Sequence, residues 1–205
     1  MIAIIDYDAG NIRSVEKAFV SLGHEVTVTR DAEVLRSADK VVLPGVGNFG
    51  DCMQNLEKFG LVPVIREIAS SGKPFLGICV GLQLLFEESE ESPGVKGLGI
   101  LKGRILRIPE GENRKIPHMG WNSIHLIGQN GTGRLFSGIP EQSYVYFVHS
   151  YYLKAADESI VTATTEYGVT IHASVEKGNV FATQFHPEKS SDTGLAILRN
   201  FAGLS

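Results

Sequence analysis

Short apolar runs rich in Val and Ile alternate with helical patterns through the first hundred of 205 residues. A chain built that way has few options: strands that run parallel and are covered by helices on both faces. IAIID (2–6), EVTVT (25–29), KVVLP (40–44) and FLGI (75–78) read as the strands. Asn11 is placed to cap a first helix, with Ile12, Val15, Phe19 and Leu22 on one stripe. A helical pair fills roughly 50–70, and Leu61, Val64, Ile65 and Ile68 fall at i, i+3, i+4 and i+7. After Gly97 the texture changes to strand-like stretches between Gly, Pro, Asn and Asp turns, which predicts antiparallel strands added to the parallel core. A helix near 191–203 closes the chain, with Leu195, Leu198 and Ala202 on one face. The expectation is an α/β fold forming one domain over 1–205. Glu87 to Glu91 and the GQNGTG run at 128–133 read as solvated loops.

Composition narrows the function. Hydrophobic residues make up 43% and charged residues 20%, so disorder is excluded for most of the length. A net charge of −4 offers nothing to a phosphate backbone, which argues against nucleic acid. Two cysteines are too few for a disulfide framework, no apolar run is long enough to cross a membrane, and the first residues lack a signal-peptide pattern. A cytoplasmic protein with free thiols is expected.

Gly45-Val46-Gly47-Asn48-Phe49-Gly50 matches G-x-G-x-x-G between a strand and a helix. A dinucleotide site also needs an acidic residue about 20 positions on, at the end of the next strand. Cys79 stands at the end of that strand, so nicotinamide binding is rejected. The bare loop still suits close approach of backbone N–H groups to a ligand.

Gly77-Ile78-Cys79-Val80-Gly81 follows a strand and runs into LQLLF, a helix. This is a nucleophile elbow with cysteine in the place of serine. The helix N-terminus favours the thiolate, and the Val80 amide points where an oxyanion would form. Cys52 lacks this setting and is read as inert. A base is supplied by His186-Pro187-Glu188, at the end of a strand. Residues two apart in an extended segment project to the same side, so Glu188 can orient the His186 imidazole. No H-x-x-x-H or C-x-x-C pair completes a metal site, and neither metal nor cofactor is expected.

PGVG (44–47), GICVGLQ (77–83) and HPE (186–188), in this order and spacing, resemble class I glutamine amidotransferases. The resemblance implies hydrolysis of L-glutamine through a thioester, with Cys79 as nucleophile, His186 as acid and base and Glu188 as orienter. It also implies a second oxyanion donor near Val46 or Gly47. Gln83 would contact substrate, and the backbone of Ser150 and Tyr151 would hold the amino-acid end. KIPHMGWN (115–122), YFVHSY (146–151) and DYDAGN (6–11) are similar to the glutaminase subunits of imidazole glycerol phosphate synthases. That likeness puts Asn11, Met119, Trp121, Tyr146 and Lys189 on a face toward a partner. Without it, Trp121 reads as a core residue, His118 as a satisfied surface histidine, and one face of the strand holding Tyr146, Phe147 and His149 as core.

No ATP motif or phosphate-binding barrel is found for an ammonia acceptor, so the synthase is expected on another chain. The resemblance implies a cyclase subunit, a (β/α)₈ barrel, in a heterodimer of histidine biosynthesis. Three readings stay open beside it: a glutaminase serving an anthranilate, guanylate or pyridoxal phosphate synthase, a cysteine peptidase or esterase on the same elbow, and a non-catalytic regulatory subunit.

Overall fold

The computed structural model describes residues 1–112, 114–127 and 133–205, so the loop expected at 128–133 lies outside the described residues except for Gly133. The first half runs β1 (Ile2–Ile5), α1 (Ile12–Ser21), β2 (Val26–Thr29), α2 (Ala32–Ser37), β3 (Lys40–Leu43), α3 (Phe49–Lys58), α4 (Leu61–Ser70), β4 (Phe75–Ile78) and the short α5 (Val80–Leu84). The second half is mostly strand. It contains β5 (Glu88–Ser89), β6 (Gly103–Arg107), β7 (His118–Ser123), β8 (His125–Leu126), β9 (Tyr144–His149), β10 (Tyr151–Ala155), β11 (Val161–Glu166), β12 (Thr170–Lys177) and β13 (Val180–Thr183). Helix α6 (Ser191–Ala202) follows.

Eight strands form one sheet in the order β2-β1-β3-β4-β13-β12-β11-β8. The first five are parallel and the last three antiparallel, as the change of texture predicts. The remaining strands leave this sheet: β10-β6-β5 and β7-β9 form two small sheets of their own. Strands β1, β4 and β13 are buried along their whole length, which is why their sequences are continuous apolar runs. The chain steps from β1 to β2 in one direction and back across β1 to β3 in the other. Right-handed crossovers then put α1 and α2 on opposite faces. On one face α1 meets α6 through Phe19 and Phe201, and on the other α2 meets α4 through Arg36 and Glu67.

Several expectations change in detail. Helix α6 buries Gly194, Ile197, Leu198 and Phe201, so the inward face is turned from the one predicted and Leu195 and Ala202 sit at its margin. Asn11 does not cap α1 with its side chain; its backbone is left-handed at φ 70° and the amide is turned elsewhere. The glutamate run is not simply solvated. Glu87 accepts from the Gly103 amide, Glu90 from Arg107, and Glu91 from Phe49 in the first turn of α3. Asn48 caps α3 through the amides of Gly50 and Asp51, and Ser92 also bonds Gly50. The N–H groups a phosphate would need are therefore taken, which gives the rejected dinucleotide site its physical reason.

Candidate active site

The loops after β1, β3, β4 and β13 leave the sheet at the same edge, because these strands are parallel, and ligands in such sheets sit at their carboxyl ends. After β4 the chain turns directly into α5 at Cys79, whose backbone is strained at φ 55° and ψ −109°. The two glycines of the elbow are required by contact. A Cβ on Gly81 would lie 1.9 Å from the Leu43 carbonyl oxygen, and one on Gly77 would lie 2.8 Å from the Gly81 carbonyl oxygen. The turn therefore packs α5 against the end of β3 with no room for side chains.

The His186 amide donates to the Tyr146 carbonyl, and Ser190 Oγ bridges from the His186 carbonyl to the Tyr146 amide. Pro187 opens a 3₁₀ turn over Pro187–Lys189, so Glu188 comes back to the ring through a turn and not along an extended strand as expected. The outcome is the predicted contact: His186 Nδ1 lies 2.7 Å from Glu188 Oε1, both side chains buried. The same oxygen accepts from Asn11 Nδ2, while Glu188 Oε2 and His186 Nε2 have no hydrogen-bond partner among the described residues. Burial alone would lower the His186 pKa, but the charge of a Cys79 thiolate and the bond to Glu188 outweigh it and raise the imidazole to about 10.

Cys79, His186, Val46, Gly47, Val80, Gln83, Ser150 and Tyr151 all line one cavity of about 250 Å³. The Ser150 carbonyl accepts from Ile108, and the Tyr151 carbonyl accepts from both Gln83 and His149. Val80 differs from expectation: its amide donates to the Gly45 carbonyl at 3.3 Å and must exchange that bond to meet an oxyanion. Tyr7 holds the same loop through its bond to the Pro44 carbonyl. Cys52 is buried with its thiol on the Val46 carbonyl, and burial pushes it up to about 11, in keeping with an inert thiol.

Of the residues expected to face a partner, Met119 is 62% exposed and Trp121 51%, so the tryptophan is not core. Trp121 packs edge-on against Tyr146 across β7 and β9, Lys189 is exposed and Asn11 half-buried. Phe147 and His149 point the other way, into the interior. Sequence reasoning missed Gln184, which is fully buried against Cys79, and the buried pair His118 and His149. Gln184 lies two residues before His186 in the bend that follows β13, where no local pattern singles it out.

An α/β sheet with a strained cysteine elbow and a His–carboxylate pair beside it is an arrangement that suits a glutamine amidotransferase. The family model "Glutamine amidotransferase class-I" matches residues 3–203, and the chain belongs to that family. It is 51% identical to "Imidazole glycerol phosphate synthase subunit HisH" of Geobacter metallireducens, over 98% of this chain and 97% of the relative. The protein of the same name from Methanothermobacter thermautotrophicus is also 51% identical, with the same coverage of both chains. A crystal structure of a glutamine amidotransferase aligns with a TM-score of 0.75 at 21% identity, covering 98% of this chain and all of the other. PurLQS from Thermotoga maritima aligns at 0.74 and 22%, covering 98% and 96%, and these two likenesses concern the fold alone.

Proposed function

We propose that this chain is the glutaminase subunit of an imidazole glycerol phosphate synthase, acting in histidine biosynthesis. The synthase reading is supported by the 51% identity over nearly the whole of both chains, and the observation that carries the chemistry is the meeting of Cys79 with the His186–Glu188 pair at one cavity, on an elbow where positions 77 and 81 admit only glycine. In the proposed reaction the Cys79 thiolate attacks the side-chain carboxamide carbon of L-glutamine. The tetrahedral intermediate collapses to a thioester as His186 passes its proton to the departing nitrogen, giving ammonia. Water then attacks the thioester with His186 as base, which releases glutamate and restores the thiolate. Val80 and the Val46–Gly47 peptide serve the oxyanion once the Gly45–Val80 bond is exchanged. Gln83 meets the substrate through Oε1, since both hydrogens of its Nε2 are already used.

The partner in this reading is a cyclase subunit with a (β/α)₈ barrel. Exposed Met119, Trp121 and Tyr144 give the β7–β9 ribbon an apolar surface, and the backbone of Tyr146 ties that ribbon to His186. Glutamate release is the test, measured for the chain alone and with the cyclase plus its phosphoribulosyl substrate. Stimulation by the liganded partner, abolished in Cys79→Ala, is expected. Equal turnover with and without the partner would remove the synthase assignment.

A further inference from the structure

Two buried amides form a hydrogen-bonded chain that ends on the nucleophile, and its direction is fixed by chemistry. The Tyr151 carbonyl can only accept, so the Gln83 side chain must turn its NH₂ group toward it, at 3.1 Å. The second hydrogen of that nitrogen goes to Gln184 Oε1, also at 3.1 Å. Gln184 must therefore present oxygen to Gln83, and its remaining end, Nε2, lies 3.8 Å from Cys79 Sγ. Reversing Gln184 would set two NH₂ groups against each other and leave a carbonyl oxygen facing the sulfur. Both side chains are buried, at 3% and 0% exposure, so no water compensates for the error. The sulfur's other hydrogen-bond contact among the described residues is the Val148 carbonyl at 3.9 Å, which can serve the thiol but not the thiolate.

We propose that Gln184 is a catalytic residue that holds Cys79 as the thiolate, its donor orientation imposed through Gln83 by the Tyr151 carbonyl. An N–H aimed at sulfur strengthens as the sulfur becomes negative, so it selects the form that attacks. The same bond restrains the sulfur on its strained elbow between the Val148 carbonyl and His186. The proposal rests on Cys79 being the nucleophile, and it can be tested without glutamine.

The first measurement is the rate of Cys79 alkylation by iodoacetamide against pH, read on the Cys79 peptide by mass spectrometry in the full chain. In Gln184→Met, which keeps length and loses the donor, the midpoint should move up by about one pH unit, with a roughly tenfold slower rate below it. An unchanged midpoint in a variant with the parent's near-UV spectrum would overturn the proposal. The second measurement uses the unsubstituted chain and survives a folding failure of the variant. One side-chain amide proton of ¹⁵N-labelled Gln184 should shift as Cys79 titrates, and the shift should vanish in Cys79→Ala. A Gln184 signal indifferent to the charge on sulfur would equally overturn it. Neither readout depends on glutamine hydrolysis, so failure here is separate from failure of the glutaminase reading.

Discussion

Glu188 does two things with one oxygen. Oε1 takes the His186 Nδ1 hydrogen and the Asn11 amide together, while Oε2 is buried with no partner. A carboxylate held on one side only is free to swing, and Asn11 is the group that stops it. The residue can reach because its backbone sits at φ 70°, a conformation that asparagine and glycine tolerate better than other residues. Asn11→Gly keeps that backbone and removes only the amide, so it isolates the contact. We expect kcat for glutamine hydrolysis to fall about tenfold, a hydrogen bond to a charged group being worth about 1.5 kcal/mol or more. KM should change little, because Asn11 does not line the cavity. Steady-state kinetics decide it, and a change confined to KM would mean that Asn11 acts on substrate binding and not on the carboxylate.

Among the elements, the β4–α5 elbow carries the most strain and gives the sharpest prediction. At φ 55° and ψ −109° any side chain at position 79 is costly, by about 1–3 kcal/mol. In an ordinary helix or strand alanine is more stable than glycine, but here the order should invert. Cys79→Gly should be more stable than Cys79→Ala by about 1 kcal/mol, both being inactive. Urea unfolding of the two variants measures the difference, and the usual order would mean that the turn relaxes without its sulfur. Gly81→Ala tests the packing of the same elbow. Its methyl would meet the Leu43 carbonyl at 1.9 Å, so a loss of at least about 2 kcal/mol is expected, together with loss of glutaminase activity. A variant as stable and active as the parent would show that α5 can move off β3.

The elbow was legible in the sequence because two glycines around a cysteine, between an apolar run and a helix, leave few conformations. The parallel core was legible for a similar reason: β1 and β4 are buried on both faces and carry unbroken apolar runs. What could not be read was set by long-range pairing. Nothing local says that β7 and β9 leave the main sheet, since their partners are chosen across 21 or more residues. Asn11 reads as an N-cap from its neighbours and becomes a Glu188 ligand only because β1 and β13 end at the same edge. Gln184 is invisible to propensity, a polar residue in the bend just past β13, and is explained only once Gln83 and Tyr151 are brought beside it.

At the scale of the whole molecule, buried imidazoles set the pH range in which the fold is stable. His118 stacks between Phe147 and Tyr167 and donates from Nδ1 to His149 Nε2, which in turn donates from Nδ1 to the Tyr151 carbonyl. His149 must be neutral to accept in that chain, His118 must be neutral for its Nε2 to accept from Asn122 Nδ2, and burial lowers His118 to about 4 and His149 to about 3. In the unfolded chain both titrate near 6.5, so below that pH the unfolded state binds more protons and stability falls as pH drops. By pH 5 each ring contributes a loss of up to about 2 kcal/mol relative to pH 7. His172, also lowered by burial, acts in the same direction. His186 acts in the opposite sense: raised to about 10 beside the Cys79 thiolate, it keeps a proton that the unfolded chain has released, but this counts only once the unfolded cysteine, with its ordinary pKa of about 8.5, has ionised too, so the contribution is lost as pH rises from about 8.5 through 10. Stability should therefore be greatest between about pH 7 and 8.5 and decline on both sides for different reasons. Urea midpoints at pH 5, 7 and 9 trace the curve. His186→Gln should flatten the alkaline side alone, and replacing His118 and His149 together by phenylalanine should flatten the acid side alone. An acid limb as steep as the parent's after the double substitution would leave the histidine pair without this role.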